Sequence, residues 1–186
     1  MDANMQMNTR LADAAAGEVI AHWLLLAHPM PAQARQEWTE SRVALLPLGV
    51  LYSAVRLPAH LVHAAARCRE LADVDAFLDE ALDGGPVICD PRGPRYYALV
   101  PKSMPLTWRD AAEEWRPLGV DCLGRGTYLG VPRVDIVEFD PQTHVSYWAV
   151  PMPSDAELCV PLSIARLIAA GKRALGEEAV AGIEPA

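Results

Sequence analysis

Lysine is almost missing from this chain: two lysines stand against fourteen arginines, and the net charge is −8 with a pI of about 5.0. An acid surplus of that size repels phosphate backbones, so the chain as a whole is not a general nucleic-acid coat. Paired cysteines are missing too. Cys68, Cys89, Cys122 and Cys159 stand far apart with no C-x-x-C, which excludes a locally written zinc knuckle or dithiol redox motif. Free thiols in a reducing, cytoplasmic setting are expected. Long hydrophobic runs are absent as well. The most apolar N-terminal stretch, Val19 to Ala27, is interrupted by His22 and reaches about half of the roughly 20 residues that span a bilayer. It follows an acidic, Asn-containing start, so neither a signal peptide nor a membrane anchor is expected. There is no G-x-S-x-G, no Walker loop and no G-x-G-x-x-G. Gly124-Arg125-Gly126 lacks a third glycine and leads into a strand pattern, not a helix. The few serines occupy no recognisable nucleophile setting. No catalytic residue, metal-ligand set or cofactor is therefore assigned.

What is present is an ordinary globular mixture, 186 residues with 52% hydrophobic and 22% charged, large enough to bury a core without staples. With neither repeats nor a low-complexity linker, residues 1–186 read as one domain with flexible ends at 1–7 and 177–186. Abundant arginine, alanine and proline reflect a GC-rich, bacterial genome rather than a chemistry.

Apolar positions recurring from Leu11 to Ala27 predict a helix that stops before Pro29. Arg42 to Leu48 and Leu51 to Leu57 read as strands, and Pro58 suits the first turn of a helix running to about Cys68. Asp73 is the expected N-cap of a helix over Val74 to Leu82, closed by Gly84-Gly85. Strands are expected at 86–89, 95–100, 127–131, 134–139 and 145–150, with a short helix at 108–115 and a last one at 163–175. Strands gathered centrally with helices at both ends predict an α+β fold, a mostly antiparallel sheet packed by N-terminal and C-terminal helices.

Asp90-Pro91-Arg92-Gly93-Pro94-Arg95-Tyr96-Tyr97-Ala98-Leu99 resembles the T-P-R-G-G-x-H-x-Y-F stretch of the bifunctional DNA primase/polymerase (prim-pol) family of the archaeo-eukaryotic primase superfamily. Gly124 to Pro132 resembles the family's G-G-Y-V-V-A-P-P run, and Ser146-Tyr147-Trp148 its Y-x-W, so the similarity covers about residues 84–150. The resemblance implies nucleotide polymerisation through metal-bound carboxylates of a D-h-D motif on a strand, with a nucleotide-binding histidine. This chain departs from that pattern: Tyr96 stands at the histidine position, and the D-h-D upstream, Asp73-Val74-Asp75, follows Arg69-Glu70-Leu71-Ala72 rather than an apolar strand. It reads as a helix N-terminus whose acids complement the dipole. Glu138 and Asp140, with His144 nearby, close an apolar run but come after the histidine motif, and read as a solvated strand end and turn. His60, His63 and Cys68 have a spacing a metal could use, though apolar neighbours make them core-like.

The remaining feature is a basic segment. Residues 90–133 carry seven basic side chains against five acidic ones. Arg92, Arg95, Arg125 and Arg133 are candidates for an anion-binding rim, and Tyr97, Tyr128 and Trp148 for stacking surfaces of the kind single-stranded nucleic-acid sites use. The competing account has the arginines balancing acidic helices and the aromatics filling the core. Three functions stay open at this stage. One is a non-catalytic prim-pol-like domain binding a nucleotide, single-stranded nucleic acid or another anion. The second is a regulatory module with a protein partner. The third is a metal-dependent nucleotidyl transferase using Asp73 and Asp75, or Glu138 and Asp140.

Overall fold

The computed structural model describes residues 2–181. Helix α1 (Asp2–Leu25) is followed by α2 (Pro31–Ser41), strand β1 (Val43–Pro47) and strand β2 (Tyr52–Pro58). Helices α3 (Ala59–Ala66) and α4 (Leu71–Ala81) lead into the hairpin β3 (Val87–Asp90) and β4 (Arg95–Pro101). Short helices α5 (Met104–Thr107) and α6 (Arg109–Trp115) precede β5 (Asp121–Leu123), β6 (Tyr128–Pro132) and β7 (Tyr147–Val150), and α7 (Pro161–Ala181) ends the described chain. No helix of the described residues is long and apolar enough to cross a membrane.

The expected α+β architecture holds. Five strands form an antiparallel sheet in the order β5-β2-β4-β3-β7, and β1 pairs antiparallel with β6 in a separate ribbon. Alternation along the strands sends side chains to two cores. Val55, Leu57, Tyr96, Ala98 and Val100 face α3, α4 and α7. Tyr52, Ala54, Ile88, Leu99 and Trp148 face α1, α2 and the β1–β6 ribbon. The sheet is thus covered on both faces, which is why β2 and β4 read as nearly continuous apolar runs.

Local signals place most element ends. Pro31 opens α2 at its first turn, where a missing N–H costs nothing. The β3–β4 turn is closed by Asp90, whose Oδ1 accepts the Arg92 and Gly93 N–H groups at 3.1 Å each. Pro94 O accepts the Ala59 N–H at 2.9 Å, which docks that turn against the start of α3.

Several expectations are corrected. Asp73 lies in the first turn of α4 and the N-cap is Glu70. Helix α1 begins at Asp2 rather than near Leu11, and α7 runs over Pro161–Ala181 rather than 163–175; residues 182–186 of the expected flexible tail lie outside the described residues. Segment 134–139 is not a strand. Side-chain contacts hold it as a loop instead: Arg133 binds Asp135, Asp140 Oδ1 accepts the Gln142 N–H, and Phe139 packs on Tyr147 at 6.2 Å between ring centroids. It meets the sheet edge where the Trp148 N–H donates to the Ile136 carbonyl at 2.8 Å, without forming a ladder. Helix α2 and the three-residue β5 carry too little apolar periodicity to be read in advance; β5 is held by pairing with β2 and by an Arg56–Asp121 ion pair.

Candidate functional site

The arginine and aromatic candidates do not converge. Arg92 sits in the β3–β4 turn and donates to the Thr143 carbonyl at 2.7 Å. Arg95 begins β4 at that same end, exposed and opposite Pro58 and Asp90. Arg125 is at the other end. Its backbone presses against Gly49, where a Cβ would lie 2.5 Å from Arg125 N, and Gly49 bonds Tyr52 across the turn. Since Tyr52 pairs with Pro101 and Pro58 with Arg95, the two arginine positions are separated by the length of β4, about 20 Å at the usual strand rise. Arg133 is engaged by Asp135 through two bonds of 2.5 and 2.8 Å. Tyr128 is exposed at the start of β6 near Arg125, whereas Tyr97 is half-buried against the core beneath α1 and α2. Trp148 is 1% exposed and donates its indole N–H to Pro132 O at 3.1 Å, so it has no free face for stacking.

The carboxylate pairs are dispersed in the same way. Asp73 is exposed, while Asp75 turns inward and accepts the Tyr147 hydroxyl at 2.9 Å. Two residues apart on a helix, the side chains diverge by about 200°. Glu138 and Asp140 lie in the 133–146 loop, where Asp140 also meets Arg42 at 3.6 Å.

A different region brings polar groups together. Helices α3 and α7 enclose a cleft of about 860 Å³, lined on one side by His60, His63, Arg67 and Arg69 and on the other by Leu175, Glu177 and Glu178. His60 and His63 share one helical face because they are three residues apart. Arg67 closes α3 in the left-handed conformation (φ 53°), which turns the chain so that Cys68 and Arg69 also border the cleft. Glu177 reaches across to Arg67 at 3.1 Å. The close approach of the helices depends on Gly171, where an added Cβ would stand 2.5 Å from the Leu61 carbonyl oxygen.

Beneath the cleft the sheet carries a row of three facing side chains with polar atoms. Tyr96, Cys89 and Tyr147 are directly opposed across β4, β3 and β7, and none is more than 3% exposed. Tyr96 Oη lies 3.4 Å from His63 Nε2 at one end of the row; Tyr147 Oη donates to Asp75 Oδ2 at the other. Burial holds both tyrosines far above their ordinary range and pushes the Cys89 thiol up to about 12, so all three keep their protons. Burial lowers His63, helped by Arg69 and His60, and keeps the imidazole neutral. Cys68 Sγ accepts the Glu70 N–H at 3.4 Å and contacts Asp73, so it does not join the two histidines. Among the described residues no three His, Cys, Asp or Glu side chains are placed to hold a metal ion.

No protein-family model, curated protein or solved structure matches the chain. The site therefore rests on its own geometry, and only part of it was visible beforehand. His60 and His63 were noted for their spacing, but Tyr96, Cys89 and Tyr147 become neighbours only through strand register. The one local cue is polar residues set into apolar strands.

Asp75 provides a direct check. Burial raises its carboxyl to about 6, opposed by the Tyr147 hydrogen bond, and Oδ1 has no partner. A carboxyl raised on folding favours the native state below its unfolded value near 3.8 and loses that contribution as pH climbs through about 6. Asp75→Asn should therefore flatten the stability curve between pH 4 and pH 7. Above pH 7 it should gain about 1 kcal/mol over the parent, a figure discounted for the partly exposed side chain. Thermal melts of both proteins across that range test it; an unchanged pH profile would refute the burial argument.

Proposed function

We propose that this chain is a binding protein, not a polymerase, and that it takes a small organic anion in the cleft between α3 and α7. The observation that supports this best is the set of cationic and imidazole side chains on one wall, His60, His63, Arg67 and Arg69, around a cleft of about 860 Å³ in a chain of net charge −8. Volumes of that order accommodate ligands from single metabolites to nucleotides. Local potential rather than total charge governs a contact site, and guanidinium groups suit phosphate and carboxylate geometry. A nucleotide, the ligand class expected from the prim-pol resemblance, falls within this range. An extended nucleic-acid strand is disfavoured by the wide separation of the exposed arginines. The diverging Asp73 and Asp75 side chains argue against two-metal chemistry, which needs carboxylates converging on ions about 4 Å apart.

The test is calorimetric titration of AMP at two salt concentrations. Binding should weaken as salt rises. Arg69→Ala and Arg67→Ala should each reduce affinity about five- to tenfold while leaving Tm nearly unchanged, since both are exposed. Arg125→Ala should change nothing. Absence of binding, or affinity lost with Arg125 and kept with Arg67 and Arg69, would overturn the assignment.

A further inference from the structure

The packing face of α7 carries a charge where its spacing calls for an apolar residue. Ile164, Leu167, Ile168, Gly171 and Ala174 recur at one- to four-residue steps along one side of the helix and are buried. The next positions of that stripe, four and seven residues beyond Ala174, are Glu178 and Ala181. Leu61 meets Gly171 and, six residues on in each chain segment, Arg67 meets Glu177, so α3 and α7 run in the same direction. Helix α3 stops at Ala66 while α7 continues to Ala181. The stripe therefore outlasts its partner helix, and the cleft opens where Glu178 takes the apolar place between the small side chains of Ala174 and Ala181. Glu178 has no ion-pair partner among the described residues. Glu177, about 100° round the helix, reaches Arg67 at 3.1 Å instead.

The formal charges of the lining are balanced but separated. Arg67 and Arg69 stand on the α3 side, and Glu177 and Glu178 on the α7 side. A ligand that is only an anion would face two carboxylates across from its guanidinium partners, and that repulsion would cancel part of the attraction. A ligand with an ammonium group a few bonds from its anionic group matches both walls at once. Resting on the cleft assignment above, we propose that the ligand of this cleft is a small zwitterion, an amine that also bears a phosphate or a carboxylate. Its anionic group replaces Glu177 at Arg67 and bonds Arg69, and its ammonium group faces Glu178. Displacing Glu177 costs little, because the Arg67 and Glu177 side chains are 78% and 57% exposed and ion pairs so exposed contribute little. Glu177 also makes only one hydrogen bond to Arg67, whereas a phosphate or carboxylate aligned with the guanidinium fork makes two.

Calorimetric titration of the full chain at neutral pH with two matched pairs of ligands tests this: ethanolamine phosphate against ethyl phosphate, and β-alanine against propionate. The members of each pair share the anionic group and differ by the ammonium. In at least one pair the zwitterion should bind about fivefold more tightly, the upper end of what an exposed ion pair supplies. The pair that shows the preference tells an amine phosphate from an amino acid. Glu178→Gln should bring that ratio close to one without weakening the plain anion, and should leave Tm nearly unchanged because the side chain is exposed. Equal affinities within both pairs, or a preference that survives Glu178→Gln, overturn the proposal and leave the anion site standing. If none of the four binds, the proposal falls, and AMP in the same buffer decides whether the anion site falls with it.

Discussion

Trp148→Ala should lower stability by about 3–5 kcal/mol, the range for emptying a large aromatic site in a core. For a domain of this length the melting temperature should fall by roughly 10 °C. The reason is position: the indole is 1% exposed, lies in the core between the sheet and the β1–β6 ribbon, and satisfies the Pro132 carbonyl with its N–H. Alanine would leave both a cavity and an unfilled acceptor. Circular dichroism melts check the size of the effect. Were Trp148 a stacking surface for a ligand, the substitution would instead leave Tm almost unchanged and reduce affinity.

The second large effect belongs to the helix contact that shapes the cleft. At Gly171 a methyl group would meet the Leu61 carbonyl oxygen at 2.5 Å and Leu61 Cδ1 at 2.8 Å. Backbone cannot yield as a side-chain tip does, so α7 must lift away from α3, and Gly171→Ala should cost about 1–3 kcal/mol. Gly176, one turn further along the same helix, meets nothing within 4 Å. There the helix propensity of alanine should prevail, and Gly176→Ala should stabilise by about 0.5–1 kcal/mol. Opposite signs for the same substitution five residues apart would show that the close approach, not glycine's flexibility, matters at 171. Denaturant unfolding of the two variants measures both. A neutral Gly171→Ala would mean that α3 and α7 pack more loosely than the structure shows.

The sequence by itself determined the fold class, because both of its determinants are local. Apolar periodicity separates helices from strands, and proline, glycine and aspartate mark their ends. Pro58 before α3 and Gly84-Gly85 after α4 were legible for this reason. The same local logic failed at 134–139, where an apolar run meets the edge strand β7 as a loop, through the Trp148 N–H to Ile136 carbonyl bond, without forming a ladder, and at Asp73, which sits in the first turn of α4 rather than at its cap. The candidate site is of the other kind. Arg92, Arg95, Arg125 and Arg133 looked like a group because they flank neighbouring strands in the sequence, but antiparallel register sends Arg95 and Arg125 to opposite ends of β4. Register likewise sets Tyr96, Cys89 and Tyr147 side by side and brings Asp75 and His63 to the two ends of their row. Which residues meet across a sheet depends on pairing between distant segments, and a one-residue slip would send each side chain to the opposite face. Only the tertiary structure decides that register, since the core on both faces, not any local pattern, selects it.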